Sequence, residues 1–202
     1  MKIPRLYFLL ALYLLAATQV LPAEQDTGTP RSIPAAAPVT GTIYLDGRGS
    51  DSIWARATQL PVPVSARNIT VPPTESSRAE IVRVGRFLCL GLHASENREI
   101  IARETVPGSP MWYDDVFFLK IMSGDRSFSL TVNPLGNIKA KAGSLKTGRL
   151  LAEHKIFRAA YIAPDHWRIE TAIDLSLLLA DTRNAGTLEL RIFRQRQARG
   201  YT

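Results

Sequence analysis

Residues 80–93 read EIVRVGRFLCLGLH and carry the strongest structural signal in the chain. Two apolar runs, residues 80–84 and 87–93, are separated only by Gly85 and Arg86. A two-residue connection whose first member is glycine is typical of a type II′ turn, which joins antiparallel strands. The stretch therefore predicts a β-hairpin whose leucine-bearing face lies in the core.

Further short strand-like runs surround this hairpin. In one of them, Trp167, Ile169 and Ile173 alternate with Arg168 and Glu170, which predicts a strand with one face in the core and one in solvent. The complete set of additional runs is 42–45, 116–121, 127–133, 137–141, 155–162, 167–173 and 187–193. Evenly spaced short strands with Gly, Pro, Asn and Asp between them predict an all-β fold, an antiparallel jelly-roll-like β-sandwich of about ten strands.

Helical structure is predicted only as short turns. Residues 50–57 begin with capping side chains and continue into a helical turn that carries Trp54, and residues 174–179 form the second candidate turn. Residues 60–64 are interrupted by proline and are predicted as an edge strand or a loop.

The N-terminus has the pattern of an export signal. Lys2 and Arg5 precede an apolar run at residues 6–17, which is too short for the roughly 20 residues that a membrane-spanning helix needs. We predict a signal peptide at residues 1–23 with cleavage after Ala23, a Pro/Ala/Thr-rich linker at 24–41, and one sandwich domain at 42–202. The product is predicted to be secreted or periplasmic, not an integral membrane protein.

The charge balance does not require a nucleic-acid partner. The 202 residues carry a formal charge of +7, and removal of the signal peptide lowers it to +5. An exported protein rarely meets nucleic acid, so we predict none as a partner. The arginines near the C-terminus are expected on the solvated side of a strand or in a patch for anionic surfaces. They are Arg191, Arg194, Arg196 and Arg199.

The chain lacks the sequence signatures of the common enzyme classes. There is no nucleophile elbow, phosphate loop or zinc-protease motif, and the three histidines are not at metal-ligand spacing. Cys89, the single cysteine, lies in an apolar run and is expected to be buried and unreactive. We predict a protein that is not an enzyme.

One loop has the composition of a sugar-binding site. Residues 107–115 read PGSPMWYDD and lead directly into the predicted strand at 116–121. Flat aromatic rings stack on the apolar faces of pyranose sugars, while carboxylates accept hydrogen bonds from sugar hydroxyls. We predict Trp112 and Tyr113 as the stacking surface and Asp114 and Asp115 as acceptors. The alternative for Trp112 is that its ring caps the core.

A series of segments resembles the family 9 carbohydrate-binding modules (CBM9) and the related DOMON sandwiches. The resemblance runs from about residue 42 to residue 199 and depends on six motifs in the same order as in the family. The motifs are Leu45-Asp46-Gly47 with Asp51-x-x-Trp54-x-x-Ala57, the end of the hairpin at 87–92, residues 112–119, FSLTVNPLG at 128–136, WRIETAIDL at 167–175, and LRIFR at 190–194.

This resemblance implies a non-catalytic β-sandwich that holds polysaccharide or oligosaccharide between aromatic rings. It implies packing roles for Trp54 and Trp167, and it places Trp112 within one residue of a family stacking tryptophan. Phe117 stands where binding members usually have a glutamate that bonds sugar hydroxyls. Tyr201 is the remaining candidate for a second stacking aromatic.

Three alternatives remain open at this point. Some family members hold calcium as a structural ion, and here Asp46 and Asp51 are the carboxylates to consider. Relatives of the sandwich hold haem, for which Met111 or Met122 with His93 or His154 would be the ligands. The third alternative is a structural or adaptor domain of the cell envelope without a ligand, which the replacement at Phe117 favours.

Overall fold

The computed structural model describes residues 31–33, 39–67, 75–144, 149–150, 156–177 and 188–197. The predicted signal peptide, Tyr201, His154 and Arg199 lie outside these residues. No helix in the described part of the chain is both long and apolar enough to cross a membrane.

The described residues form two packed β-sheets with very little helix. The strands are β1 (Arg31–Ile33), β2 (Thr58–Pro61), β3 (Val64–Arg67), β4 (Ser77–Val84), β5 (Phe87–Ser95), β6 (Val116–Ser123), β7 (Arg126–Val132), β8 (Ile138–Ser144), β9 (Arg149–Leu150), β10 (Ile156–Ile162), β11 (His166–Asp174) and β12 (Leu188–Gln197). The predicted all-β sandwich is confirmed, and the predicted runs correspond to β4 to β8 and β10 to β12. The exception is the run at residues 42–45, which forms no strand, so this prediction was wrong.

Sheet A has seven strands in the order β1-β12-β6-β7-β8-β9, with β3 also paired to β12. Sheet B has five strands in the order β10-β11-β5-β4-β2. The pairings are antiparallel except for the parallel pair of β3 and β12. The predicted edge segment contributes β2, which lies at the edge of sheet B.

The hairpin at residues 80–93 forms as predicted. Val84 pairs with Phe87, and Gly85 has a φ of 55° in the left-handed region that glycine tolerates best. Leu88, Leu90 and Leu92 point inward and are buried. Cys89 points outward from β5 but is covered and fully buried, which raises the pKa of its thiol to about 12 through desolvation.

The core lies between the two sheets. Its inward-facing side chains include Phe117, which packs on Trp167 with ring centroids 4.9 Å apart. The packing role implied for Trp167 is confirmed, since its side chain is fully buried. Phe117 is also fully buried, so this position faces the core and does not line a surface.

Both predicted helical turns are present as single 3-10 turns, at Ser52–Arg56 and Leu175–Leu177. Asp51 caps the first turn because its side chain accepts a hydrogen bond from the Ile53 main-chain N–H. The turn buries Trp54 in a second apolar cluster on the outer face of sheet B.

The segment predicted as a linker takes part in the fold. Residues Arg31–Ile33 form β1, which pairs with Leu188–Leu190 of β12, and Val39 bridges to Val84. The prediction from composition was therefore wrong for these residues. Composition does not report whether an unpaired sheet edge is available to accept a short strand.

Candidate functional site

The loop before β6 presents two aromatic rings to solvent. Trp112 is 57% exposed and Tyr113 is 72% exposed, so the alternative in which Trp112 caps the core is wrong. The Trp112 carbonyl accepts a hydrogen bond of 2.9 Å from the side-chain amide of Gln197. Gln197 belongs to the outward-facing residues of β12. This bond therefore ties residues 107–115, which we call the aromatic loop, to the outer face of sheet A.

Asp114 is fully buried and serves the loop itself. One carboxylate oxygen accepts the main-chain N–H of Arg103 at 2.9 Å, and the other accepts the N–H of Glu104 at 3.0 Å and the side-chain amide of Asn133 at 2.8 Å. Oxygens that are buried and already bonded do not meet a sugar hydroxyl. Our prediction of Asp114 as a sugar acceptor is therefore corrected to a structural role.

Asp115 requires the same correction. Its oxygens accept the main-chain N–H groups of Ile101 at 2.9 Å and Gln197 at 2.7 Å, and the residue is 1% exposed. Burial raises the pKa of this carboxyl group, while the two main-chain donors and the charge of Arg196 oppose that rise. Asp115 thus joins the aromatic loop to the end of β12.

Two asparagines complete the support of this loop. The Asn133 and Asn137 side-chain amides donate to the carbonyl of Glu104, and Asn137 also donates to the carbonyl of Val106. The strand-like run at 127–133 and the motif at 128–136 both contain Asn133 but give no sign of this support. Gln197 holds the loop from β12, and Asn133 and Asn137 hold it from the β7–β8 connection. Trp112 is therefore displayed from a rigid base.

A second aromatic feature lies on the same outer face of sheet A. Phe118 and Phe193 are neighbours across β6 and β12, with rings stacked at 4.8 Å between centroids and 20° between planes. Four residues of extended strand, roughly 13 Å, separate Phe193 from Gln197 and the aromatic loop. Outward-facing Thr131 and Lys120 belong to the same face.

The loop considered for calcium is held by the protein's own donors. The Asp46 carboxylate accepts the Arg48 main-chain N–H at 2.7 Å and the Ser50 hydroxyl, which lowers its pKa. Asp51 accepts the N–H groups of Tyr44 and Ile53. Within the described residues, no group of three or more His, Cys, Asp or Glu side chains is placed to hold a metal ion.

Among the described residues considered for haem, His93 and Met122 are far apart, and His154 lies outside the described residues. His93 lies on the outer face of sheet B, whereas Met122 lies on the outer face of sheet A, on the other side of the core. Met111, directly before Trp112 in the chain, is buried at 6% exposure. A haem group would need its two ligands at one site, and the core lies between His93 and Met122, so these two residues would not hold one together.

A buried ionic network, which we call the Glu170 network, fastens the segment before the first 3-10 turn to sheet B. Glu170 is fully buried and accepts main-chain N–H groups from Asp46, Gly47 and Gly49 at 2.8 to 3.0 Å. Arg168 donates to Glu170 at 3.3 Å and to Glu80 at 2.6 Å. The predicted solvent-exposed face of β11 was therefore wrong, because the chain folds back over it.

A second buried network lies at one end of the core. Arg194 is fully buried, donates to the Ser77 hydroxyl and the Ser95 carbonyl, and forms an ion pair with Glu96. Arg196 pairs with Glu75 at 2.9 Å and with Glu96 at 3.3 Å. The expected solvated arginine face was wrong at both positions. The alternation Leu188, Leu190, Ile192 already places residues 194 and 196 on the core side, and this signal was missed.

His93 gives the protein a pH-dependent stability. Burial lowers its pKa to about 4, and Arg78, His166 and Arg168 add to this effect while Glu80 opposes it. The unfolded chain binds a proton near pH 6.5 and the folded chain only near pH 4, so stability falls as the pH drops through this window. We expect a loss of about 1–2 kcal/mol between pH 7 and 4.5, after allowing for partial solvent exposure of the ring.

Chemical denaturation of the wild type and of His93→Gln at both pH values measures this loss. The variant should show a smaller decrease because it lacks the titrating ring. Equal decreases in the two proteins would contradict the assignment to His93.

Comparison with known proteins establishes the fold. No protein-family profile matches the chain, and no curated protein sequence matches it. A solved structure described as a putative carbohydrate-binding protein from Bacteroides uniformis matches with a TM-score of 0.59 at 13% identity, over 82% of this chain and 90% of its own. This chain shares that protein's fold. The predicted resemblance to a carbohydrate-binding sandwich is confirmed at that level.

Two structures of a CBM9 module from Caldicellulosiruptor kristjanssonii also match. The complex with cellotriose has a TM-score of 0.49 at 12% identity, over 80% of this chain and 94% of its own. The complex with glucose has a TM-score of 0.49 at 11% identity, over 82% of this chain and 99% of its own.

Proposed function

We propose that the chain is an exported, non-catalytic carbohydrate-binding domain that holds sugar against the aromatic loop. The observation that carries the proposal is the exposure of Trp112 and Tyr113 together, on a loop anchored by hydrogen bonds to the rest of the sandwich. Adjacent large aromatic rings exposed from a rigid base are typical of a binding surface, since a mobile loop would lose more entropy on binding. The solved structure from Bacteroides uniformis that shares this fold is described as that of a carbohydrate-binding protein, which supports the same class of ligand here.

The polar contacts to sugar must come from groups other than the two buried aspartates. Thr131, Lys120 and Gln195 are partly exposed on the outer face of sheet A, near the Phe118 and Phe193 pair. Their hydroxyl, ammonium and amide groups can bond sugar hydroxyls while the rings contact pyranose C–H groups. Tyr201, outside the described residues, is proposed as a further ring of this surface. Export to the periplasm or the medium is part of the proposal and is supported by the pattern of residues 1–23.

Replacing Trp112 with alanine is expected to weaken sugar binding about tenfold or more, because truncating a central aromatic removes both contact area and ring stacking. Isothermal titration calorimetry or affinity electrophoresis against cellobiose, xylan and peptidoglycan fragments measures the effect. The free energy of unfolding should change by less than about 0.5 kcal/mol, since the ring is mostly in solvent.

Tyr44→Ala is the matched control, because Tyr44 is 74% exposed and belongs to the segment that covers sheet B. Its sugar affinity should equal that of the wild type. Equal affinities of Trp112→Ala and Tyr44→Ala would contradict the proposed surface. Absence of binding by the wild type would instead favour the adaptor alternative, and a Soret absorption band would favour the haem alternative.

A further inference from the structure

A cleft lies on the outer face of sheet B, on the opposite side of the core from the aromatic loop. Its volume is about 360 Å³, within the range of small-ligand pockets. Strands β4, β5, β10 and β11 supply the floor, and the segment around Arg48 and Trp54 forms the wall. The loop with Trp112 and Tyr113 does not line it.

The floor of the cleft is a row of side chains across four neighbouring strands. Strand register places Tyr161, Arg168, His93 and Arg78 side by side. His166 is stacked on His93 with ring centroids 5.4 Å apart. Flat rings and guanidinium groups therefore alternate over a distance of about 15 Å, given a strand spacing near 4.8 Å.

The charges of the cleft favour an anion. Arg168 is already neutralised by Glu80 and Glu170, at 2.6 and 3.3 Å. Arg78 reaches Glu80 only at 3.5 Å, with nearly half of its side chain exposed. The guanidinium of Arg48 lies over the Tyr161 ring at 4.4 Å, and no carboxylate of the described residues forms an ion pair with it. Two arginines thus have donors available at opposite sides of the cleft.

We propose that this cleft binds a sugar acid, a pyranose ring that carries a carboxylate. Arginine presents donors in a planar fork that matches a carboxylate, so Arg78, with nearly half of its side chain exposed, would hold the charged group, while Arg48, over Tyr161 at the other side of the cleft, would donate to sugar hydroxyls. The rings of Tyr161 and His93 would contact the sugar ring, and Gln59 at the rim would bond hydroxyls. The proposal concerns a second site, independent of the aromatic loop.

Titration of the full chain with glucuronate, followed by the imidazole proton resonances of the histidines, tests the proposal. We expect saturable shifts at His93 and His166, and no saturable shift with glucose at equal concentration. Arg48→Gln and Arg78→Gln should each weaken glucuronate binding about tenfold or more, because each removes a charge-assisted contact. Arg126→Gln, which removes an exposed arginine at the β6–β7 turn, should leave the affinity unchanged.

Several results would overturn the proposal. One is equal affinity for glucose and glucuronate. Another is equal affinity for acetate and glucuronate, which would indicate a site for any small anion. A third is glucuronate affinity in both arginine variants that equals that of the wild type. Absence of saturable shifts would do the same. The titration is repeated with Trp112→Ala, in which glucuronate binding should persist, so failure at one site is distinguished from failure at the other.

Discussion

Glu170→Gln is expected to lower the free energy of unfolding by about 3–5 kcal/mol, the range for breaking one side of a buried ionic network. The glutamate accepts four donors, from Asp46, Gly47, Gly49 and Arg168, in a site without solvent contact. An amide replaces one acceptor oxygen with a donor that then faces another donor. It also removes a charge that balances Arg168. Denaturant-induced unfolding monitored by tryptophan fluorescence measures the loss.

The matched control for this change is Glu189→Gln, the same substitution at an exposed position on β12. It should change the free energy of unfolding by less than about 0.5 kcal/mol. Hydrogen exchange adds a local test, because the Gly47 and Gly49 amides should lose protection in Glu170→Gln. A loss of less than about 1 kcal/mol, or unchanged protection of these two amides, would contradict the anchoring role.

The importance of Glu170 was hidden in the sequence for a physical reason. Alternation along β11 reports which face of the strand is apolar, and it places Arg168 and Glu170 on the other face. It does not report that residues 42–57 fold back over that face. Gly91 and Gly49 make room there, since an added Cβ at either would lie within 3.0 Å of the Arg168 guanidinium. Whether a segment distant in sequence covers the face of a strand depends on the whole topology and not on the local pattern.

Strands β4 to β8 and β10 to β12 were predictable because each depends on local pattern. The hairpin at residues 80–93 and the turn at Ser52–Arg56 follow from glycine placement and capping, which act within a few residues. The exposure of Trp112 and Tyr113 was also consistent with a turn-rich loop. The burial of Asp114 and Asp115 was not predictable, because their partners are main-chain N–H groups and the Asn133 amide, all 10 or more residues away in sequence, and such partners leave no mark on composition.

The inward placement of Arg194 and Arg196 was predictable in principle. Both lie at even spacing from Leu190 and Ile192, so strand period alone places them on the core side. Their positive charge suggested solvent instead, since arginine is almost never fully buried unless it is paired. The partners, Glu75 and Glu96, lie about 100 residues away in sequence, and only the fold brings them to the same end of the core.

Glu96→Gln is expected to lower the free energy of unfolding by about 3–5 kcal/mol, because it leaves Arg194 and Arg196 without their shared carboxylate. Burial already disfavours the charged form of Arg194, and its pKa is lowered to about 10, chiefly by desolvation and then by Arg196. Without the carboxylate, that desolvation has less compensation. Thermal and denaturant unfolding of the variant measures the loss.

A double-mutant cycle separates the ion pair from the loss of packing. Arg194→Met in the Glu96→Gln background removes the uncompensated charge, so the double variant should be more stable than Glu96→Gln alone, as methionine fills similar apolar volume. Arg86→Gln is the control, because Arg86 pairs with Asp174 at 3.2 Å on the surface with 67% of its side chain exposed. That variant should change little. Additive effects of the two core substitutions would show that Glu96 and Arg194 are not coupled, and that packing alone holds this end of the sandwich.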